Sequence, residues 1–387
     1  MNRRIPRREF LKHSIAVAAG SGAVGAATLR TASFAAMPPA PPEGEWRNRQ
    51  SEMRYRRLGR TGYMISEIVC GGNPISPTNH RLAELAIDMG LNYLDTAPAY
   101  GNGESEKGYA SVIEGSKRDR VFLNTKVSPL IPRRNDAYEK LFASLNRDEQ
   151  AALLREVDED IERRRIFSPS YYGNYYHGQF RQAEASALSN AIENRYGSKL
   201  DKRETYVATI LRSVEDSLQR LRTDHVDLLM CPHGATSPAE AQIPEVFEAF
   251  EKLKQQGKVR FLGISSHTDP AGVLKAAMET GVYSVAMIAY TFLNREFVEP
   301  VIEEAHRRDF GVIAMKSARA LNAPNDQDTK NDVIPERAIL LHQLVPGDLP
   351  PHLKAYRFVL NNPHISGVIS GMYDEKMVKE NLALARA

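Results

Sequence analysis

The sequence has few of the residues that form covalent cross-links or thiolate metal sites. Of its 387 residues only Cys70 and Cys231 are cysteines, and neither belongs to a CxxC pair. Thiolate zinc and iron–sulfur sites are therefore not expected, and no metal site is predicted. A disulfide would be compatible with an exported protein. Both cysteines lie in strand-like apolar runs, however, and are more simply interpreted as small buried residues.

The sequence also lacks a membrane-length apolar run and a real excess of basic charge. The Ala/Gly-rich run after Lys12 is too short and too rich in glycine for a stable membrane span in the mature form. The formal charge is +3, but residues 1–36 contain six Lys or Arg and one acid, so the remainder carries −2. Nucleic acid is therefore not an expected partner.

The N-terminus has the ordered features of an export signal. The motif "RREFLK" (7–12) precedes the apolar run, and the small residues of "ASFAA" (32–36) suit signal peptidase. Residues 1–36 resemble a twin-arginine signal peptide, and 37–52 read as a Pro-rich linker. The resemblance implies that the twin-arginine export machinery carries a folded, cofactor-loaded protein to the periplasm or another extracytoplasmic space. The alternative is a chance basic and apolar N-terminus.

From residue 53 onward, strand and helix patterns alternate. Two short apolar runs around "GRTG" predict a small β-hairpin. Strands are predicted at 67–72, 92–96, 121–126, 226–230, 259–265, 284–290, 311–317 and 366–370. Most of these segments are continuous apolar runs, which are typical of parallel strands buried on both faces. Helical patterns lie at 80–89, 104–114, 204–221, 239–256, 270–279, 296–308, 335–345 and 374–386. The alternation predicts an α/β fold, a closed (β/α)8 TIM barrel. A doubly wound sheet is the alternative, but no GxGxxG follows the first strand.

One segment, 129–203, interrupts this alternation because it contains no strand pattern. A helix is predicted over 148–165. The segment is read as a long, mostly helical insertion after the third barrel strand, at the rim where such barrels have their active sites. One hypothesis makes it a pocket lid, and the other makes it a surface or oligomerisation element. The lid hypothesis uses four aromatic residues that could stack on a sugar or an aromatic ring: Tyr171, Tyr172, Tyr175 and Tyr176.

Polar side chains follow the ends of consecutive predicted barrel strands. They are Asp95, Tyr100, Lys126 and His233. A tyrosine pKa near 10 is too high for efficient acid catalysis, but an adjacent ammonium lowers it. A carboxylate would hold the lysine, and an imidazole could bind the oxygen that the tyrosine protonates. Each residue alone would more often be structural; together they suit proton delivery to a carbonyl group that receives a hydride. Glu104 and Glu106, in the first turn of the next helix, are the expected partners of its dipole.

Several motifs occur in one order: "YRRLGRTGYMISEIVCGG", "NYLDTAPAYGNGESE", "VFLNTK", "SVEDSLQRLRTDHVDLLMCPHG", "KLKQQGKVRFLGISSH", "GVIAMKS" and "SGVISGMYDEKMVKENL". On these motifs, residues 55–385 apart from the insertion resemble the aldo-keto reductase family. The resemblance implies that Tyr100 is the general acid in reduction and the base in oxidation. It implies that Lys126 and Asp95 tune this tyrosine and that His233 orients the carbonyl. The expected cofactor is NADP(H) rather than NAD(H), bound in extended form at the barrel mouth, with a small carbonyl or sugar substrate.

The resemblance also implies a set of cofactor-binding residues: Ser265 and Ser266 for the carboxamide, Ser370, Gly371 and Met372 for the adenosine phosphate, Glu380 and Asn381 for the adenine, with Lys316 and Lys376. Four positions depart from the family pattern. The spacing before His233 is one residue longer than usual, so a bulge is expected there. Met287 replaces a glutamine, and Lys316 lies where a stacking aromatic is usual. Met377 replaces the arginine that grips the 2′-phosphate, with Lys376 beside it, and a lysine cannot bind phosphate bidentately.

Other functions fit the same residues. A tightly held cofactor could be oxidised and reduced within one turnover, as in sugar epimerisation or glycoside cleavage. This would suit a compartment without an obvious supply of reduced nicotinamide. A third alternative is a barrel that binds a ligand without catalysis, against which the four polar residues argue.

Overall fold

The computed structural model describes residues 44–168, 177–322 and 333–386. The predicted signal peptide at 1–36 and the start of the predicted linker lie outside the described residues. So do Tyr171, Tyr172, Tyr175 and Tyr176 of the lid hypothesis.

The strands of the described chain are β1 Glu45–Trp46, β2 Tyr55–Arg57, β3 Tyr63–Ser66, β4 Ile68–Gly71, β5 Tyr93–Asp95, β6 Phe122–Lys126, β7 Val226–Met230, β8 Val259–Ser266, β9 Val285–Ala289, β10 Gly311–Met315 and β11 Gly367–Gly371. Eight of them are parallel and close into a barrel, in the order β10-β11-β4-β5-β6-β7-β8-β9. Barrel closure is made by β11, which pairs with β4 through Val368–Ile68 and its neighbours. The predicted TIM barrel is confirmed.

Helices surround the barrel and fill the connections between its strands. They are α1 Arg81–Asp88, α2 Glu104–Val112, α3 Leu130–Ala143, α4 Arg147–Arg164, α5 His177–Tyr196, α6 Thr209–Leu221, α7 Pro244–Gln255, α8 Pro270–Thr280, α9 Arg295–Arg307, α10 Pro335–Leu344, α11 Pro351–Leu360 and α12 Glu375–Ala383. Helix α11 has no counterpart among the predicted helices. It spans ten residues and begins at Pro351, directly after Pro350.

The strands are buried on both faces, as their continuous apolar runs predict. One set of side chains fills the barrel interior and includes Val69, Tyr93, Phe122, Leu228 and Met287. The opposite faces of the strands pack against the helices in a larger core. Cys70 and Cys231 lie in that outer core as free thiols with no exposed surface. Burial raises the pKa of the Cys70 thiol to about 12.

The predicted hairpin forms and closes the N-terminal end of the barrel. Strands β2 and β3 are antiparallel, and Tyr63 of β3 stacks on Phe122 at the start of β6, with ring centroids 4.1 Å apart. The predicted linker ends before residue 52, because β1 pairs in parallel with β3. Arg47 then binds Asp227 on the barrel at 3.0 Å, and this buried ion pair anchors a segment that Pro-rich composition alone suggested to be a spacer.

The insertion after β6 is a three-helix unit with its own core. Helix α4 matches the predicted helix and begins with a capping box at Asn146. Helices α3 and α5 were not predicted. Their apolar residues face the barrel on one side and α4 on the other, so neither helix has a single apolar stripe. The shared core contains Tyr138, Phe142, Leu153, Leu188 and Ile192.

Buried polar contacts also join the insertion to the barrel. Arg134 of α3 is 1% exposed and binds Glu193 of α5 at 2.8 Å and Glu240 after β7 at 3.3 Å. Arg164 of α4 binds Asp269 after β8 at 3.0 Å. The insertion is therefore fixed to the loops that follow β7 and β8. None of the helices in the described ranges is long and apolar enough to cross a membrane.

Candidate active site

The centre of the barrel mouth is a buried ion pair. Lys126, the last residue of β6, places its Nζ 2.5 Å from Oδ1 of Asp95, the last residue of β5. The same Nζ donates to the Thr96 carbonyl oxygen at 2.8 Å, and Asn124 Nδ2 donates to Asp95 Oδ1 at 2.5 Å. Two donors on one carboxylate oxygen favour the ionised acid. Both charged side chains are almost fully buried, so neither is a solvated loop charge.

Burial and pairing act in opposite directions on these two groups. Burial raises the pKa of Asp95, while Lys126 and Asn124 oppose that rise. Burial would lower the pKa of Lys126, but Asp95 and Tyr100 more than offset it, so the pKa is raised. We therefore take the lysine as a fixed ammonium in the barrel mouth.

Tyr100 is brought to this ammonium by the loop after β5. Lys126 Nζ lies 4.7 Å from the centroid of the Tyr100 ring. The Tyr100 ring is half-buried and meets the His233 ring edge-on, with centroids 6.2 Å apart. The structure thus brings Asp95, Lys126, Tyr100 and His233 into one cluster.

His233 reaches the cluster although its spacing from β7 is unusually long. Its Nδ1 lies 2.9 Å from Ser128 Oγ, and the Ala99 backbone amide donates to the same hydroxyl at 3.3 Å. Burial, together with the nearby ammonium groups of Lys126 and Lys316, lowers the pKa of His233 to about 3. The imidazole is therefore neutral near neutral pH and can act as a hydrogen-bonding group.

The expected carboxamide residues lie at the end of β8 and hold the neighbouring loop. Ser265 Oγ accepts a hydrogen bond from the Gly234 amide at 2.9 Å. Ser266 Oγ donates to the Ala235 carbonyl oxygen at 2.7 Å. Both serines are fully buried. Ser265 keeps its hydroxyl proton for a further acceptor, whereas Ser266 already uses its own.

The expected adenosine residues form a second cluster at the end of β11 and in the C-terminal half of α12. Asn381 Nδ2 donates to Ser370 Oγ at 2.6 Å and to the Gly371 carbonyl oxygen at 3.0 Å. Its buried Oδ1 has no hydrogen-bond partner among the described residues. Met372 is buried beside this cluster. An amide with an unused acceptor fits a ligand that offers an N–H donor.

The remaining predicted cofactor residues are more exposed. Lys376 and Glu380 lie on α12 with their charged atoms 3.8 Å apart, and the lysine side chain is 81% exposed. Lys316 follows β10, is half-buried, and has φ of +59°. Its charge acts on both His233 and His267, which places it on the mouth side of the barrel.

The insertion reaches the same mouth. Gln179 of α5 has its Nε2 2.9 Å from Nδ1 of His267, which directly follows β8. Gln182 donates to the Gly234 carbonyl oxygen at 3.3 Å. Phe167 and Phe180 contact each other and pack on Ala289 at the end of β9. Residues on either side of 169–176 thus form one wall of the mouth.

Sequence reasoning missed several residues of this site. Ser128 contacts His233, Asn124 contacts Asp95, and Gln179 contacts His267. Of these, only His267 had a signal in the sequence, as the last residue of the motif "GISSH". Glu106 was assigned to the helix dipole, but it is fully buried. It accepts hydrogen bonds from Thr125 Oγ1 at 2.7 Å and Arg220 Nε at 2.6 Å. It therefore joins α2 to β6 and α6.

In the described part of the chain, no group of three or more His, Cys, Asp or Glu could hold a metal ion.

Comparison with known proteins agrees with this architecture. An uncharacterized oxidoreductase of Bacillus subtilis, YqkF, is 25% identical over 87% of this chain and 92% of its own length. L-galactose dehydrogenase of Arabidopsis thaliana is 23% identical over 86% of this chain and 88% of its own. Aldo-keto reductase AKR11C1 from Bacillus halodurans has a similar fold, with a TM-score of 0.57 and 23% identity over 87% of this chain and 91% of that one.

A similar fold is also found in an aldo-keto reductase from Klebsiella pneumoniae in complex with NADPH, with a TM-score of 0.53 and 19% identity over 86% of this chain and 89% of that one. The model of the Aldo/keto reductase family matches residues 71–163 and 194–386, and the gap between the two matched segments lies within the insertion. Since this match covers well over half of the sequence, the chain belongs to the aldo/keto reductase family of oxidoreductases.

Proposed function

We propose that this protein is an NAD(P)(H)-dependent oxidoreductase that interconverts a carbonyl group and an alcohol, with Tyr100 as the acid and base. The observation that carries the proposal is the position of the Lys126 ammonium, which lies between the Asp95 carboxylate and the Tyr100 ring. A charge held in this way stabilises a phenolate beside it. The phenolate is the form of Tyr100 that acid–base catalysis leaves behind in reduction and uses in oxidation.

The residues of the chain would transfer the proton, and the cofactor would transfer the hydride. When bound, the nicotinamide supplies or accepts the hydride. In reduction, the Tyr100 hydroxyl gives its proton to the carbonyl oxygen, and the O–H bond of the new alcohol forms. The phenolate that remains is held by Lys126 until solvent returns a proton. In oxidation the same phenolate removes the alcohol proton.

His233 would fix the substrate oxygen through its second nitrogen. Since the Ala99 amide donates to Ser128 Oγ, the Ser128 hydroxyl proton is available for His233 Nδ1. Donation by Ser128 leaves the imidazole proton on Nε2, which can then donate to a carbonyl oxygen. Ser128 would thus act as a positioning residue that selects the tautomer.

The described residues fit a dinucleotide in part. The Ser265 hydroxyl and the unused Asn381 oxygen are suited to the carboxamide and the adenine. We propose NADP(H) as the preferred form, with Lys376 as the cation for its additional phosphate. The exposure of this lysine and its nearness to Glu380 indicate a weak preference. Kd values of the purified protein for NADPH and NADH, from quenching of protein fluorescence, test this directly, and tighter binding of NADH would contradict it.

A Tyr100→Phe variant tests the function. General acid catalysis contributes about 10²- to 10⁴-fold, so kcat for carbonyl reduction should fall by that factor while cofactor affinity stays constant. Tyr196→Phe, in the insertion, is the matched control. Unchanged kcat in Tyr100→Phe would refute the acid–base role and favour a barrel that only binds its ligand. Cofactor retained through dialysis, with substrate conversion but no net change in nicotinamide absorbance, would instead favour internal redox on a sugar.

We also propose that the protein is exported through the twin-arginine pathway. The support is the order of features in residues 1–36. Replacing Arg7 and Arg8 together by lysine keeps the charge but removes both guanidinium groups. Cell fractionation should then find the variant in the cytoplasm and the wild type outside it. Equal distribution of the two forms would contradict export by this route.

A further inference from the structure

A second histidine stands beside His233 at the barrel mouth, and the proton transfer described above does not use it. His267 directly follows β8, and His233 follows β7. These strands are paired, with Met230 opposite Gly263, and adjacent strands lie about 5 Å apart. The loops are also bonded together, because the Ala235 amide donates to the Ser265 carbonyl oxygen at 2.8 Å. The two imidazoles therefore occupy neighbouring positions on one rim.

The insertion holds His267 by one of its two ring nitrogens. Gln179 is 5% exposed and contacts Nδ1 at 2.9 Å. The helix that carries Gln179 is fixed to the same rim by Gln182 at the Gly234 carbonyl. With Nδ1 engaged, Nε2 is the ring nitrogen left for a ligand. His267 thus repeats the arrangement of His233, whose Nδ1 is engaged by Ser128.

The surroundings keep this imidazole uncharged. The pKa of His267 lies well below its usual range, and the largest cause is burial. The nearby Lys316, His233 and Lys126 lower this pKa further. A neutral imidazole does not select anions. It suits a hydroxyl or carbonyl oxygen, with which it can exchange one hydrogen bond.

We propose that His267 is a substrate-binding residue that recognises a second oxygen next to the reacting carbonyl, so that the preferred substrates are hydroxyaldehydes, hydroxyketones and small aldoses. This inference rests on the proposed function, in which His233 binds the carbonyl oxygen. Neighbouring imidazoles on paired strands match oxygens on neighbouring carbons. Gln179 acts as a positioning residue, and the insertion contributes to specificity through this contact.

The test compares glyceraldehyde with propanal, which lacks the hydroxyl groups. A hydrogen bond worth about 1.4 kcal/mol corresponds to about tenfold in kcat/KM, so the wild type should prefer glyceraldehyde by about tenfold or more. In His267→Phe the ratio of kcat/KM for glyceraldehyde to kcat/KM for propanal should fall close to one. Gln179→Met, which keeps the imidazole but removes the contact with Nδ1, should lose part of the preference for glyceraldehyde.

Two further measurements separate recognition from a purely structural role. Fluorescence titration should give the same cofactor Kd for both variants and the wild type. In the cofactor-free wild type, the 15N resonance of His267 Nε2 should shift on addition of glycerol and not on addition of 1-propanol. An equal fall for both aldehydes in His267→Phe, or no shift with glycerol, would overturn the inference.

The outcomes also distinguish the two proposals. A wild type that reduces propanal as well as glyceraldehyde would overturn the role of His267 and leave the proposed oxidoreductase function standing. A wild type that reduces neither aldehyde, nor any other carbonyl compound with bound cofactor, would overturn both.

Discussion

Replacing Lys126 by methionine isolates the contribution of the buried ion pair. At the observed 2.5 Å separation, an effective dielectric constant of about 20 gives about 7 kcal/mol of attraction. Burying the two charges costs several kcal/mol for each ion, so the intact pair is close to neutral for stability. Removal of one partner is different, because Asp95 stays buried without its counter-charge. The free energy of unfolding should therefore fall by about 3–5 kcal/mol in Lys126→Met.

The assay is a double-mutant cycle with Asp95→Asn, followed by urea denaturation. Asp95→Asn alone should cost a similar amount, since it leaves the Lys126 ammonium buried. The double variant should recover much of the loss, because both charges are gone, and the coupling free energy should be a few kcal/mol. If the destabilisation of the double variant equals the sum of the two single losses, the coupling free energy is zero and the ion-pair argument is refuted. Both single variants should also lose the carbonyl reduction that we propose for Tyr100.

Three other changes have definite expected outcomes. The pKa of His233 is lower in the folded than in the unfolded chain, so between about pH 6.5 and 3 only the unfolded chain binds the extra proton, and stability falls as the pH drops through that window. His233→Asn should therefore reduce the slope of the unfolding free energy against pH by up to about 1.4 kcal/mol per pH unit. An unchanged slope would contradict this. Arg134→Met leaves the buried Glu240 without its guanidinium and should lower the unfolding free energy by about 3–5 kcal/mol in urea titrations, whereas a loss below 1 kcal/mol would show that water replaces the arginine. Lys376→Ala should raise the Kd for NADPH a few-fold and leave that for NADH unchanged, because a solvent-exposed cation contributes up to about 1 kcal/mol; a parallel change in both would remove Lys376 from the phosphate site.

The barrel could be predicted because its signal is local. Largely apolar runs such as 226–230 and 284–290 are long enough to indicate buried parallel strands, and the helical patterns between the strands require a crossover topology. The hairpin around "GRTG" was equally accessible. The insertion was less so, because α3 and α5 are covered on two sides and show no simple periodicity. Strand β1 was missed since two residues carry no detectable alternation.

The cluster of Asp95, Tyr100, Lys126 and His233 could be predicted from the sequence through one topological rule. Residues at the carboxyl ends of parallel barrel strands share one mouth, so Asp95 and Lys126 could be placed together before any distance was known. The sequence alone determined which polar residues follow the strand ends and in what order along the chain. The expectation that the phenol of Tyr100 belongs to the same chemistry also came from the sequence.

Only the tertiary structure decided which polar atoms meet and which lose their water. Glu106 lies in the first turn of a helix, where sequence suggests an interaction with the dipole, yet packing buries it against Arg220. The contacts of Ser128 with His233 and of Gln179 with His267 join residues about 90 or more positions apart in the chain. Such contacts depend on loop geometry and on how the insertion packs on the barrel. Local pattern carries no information on either, because the hydrogen bonds form only after the whole chain has folded.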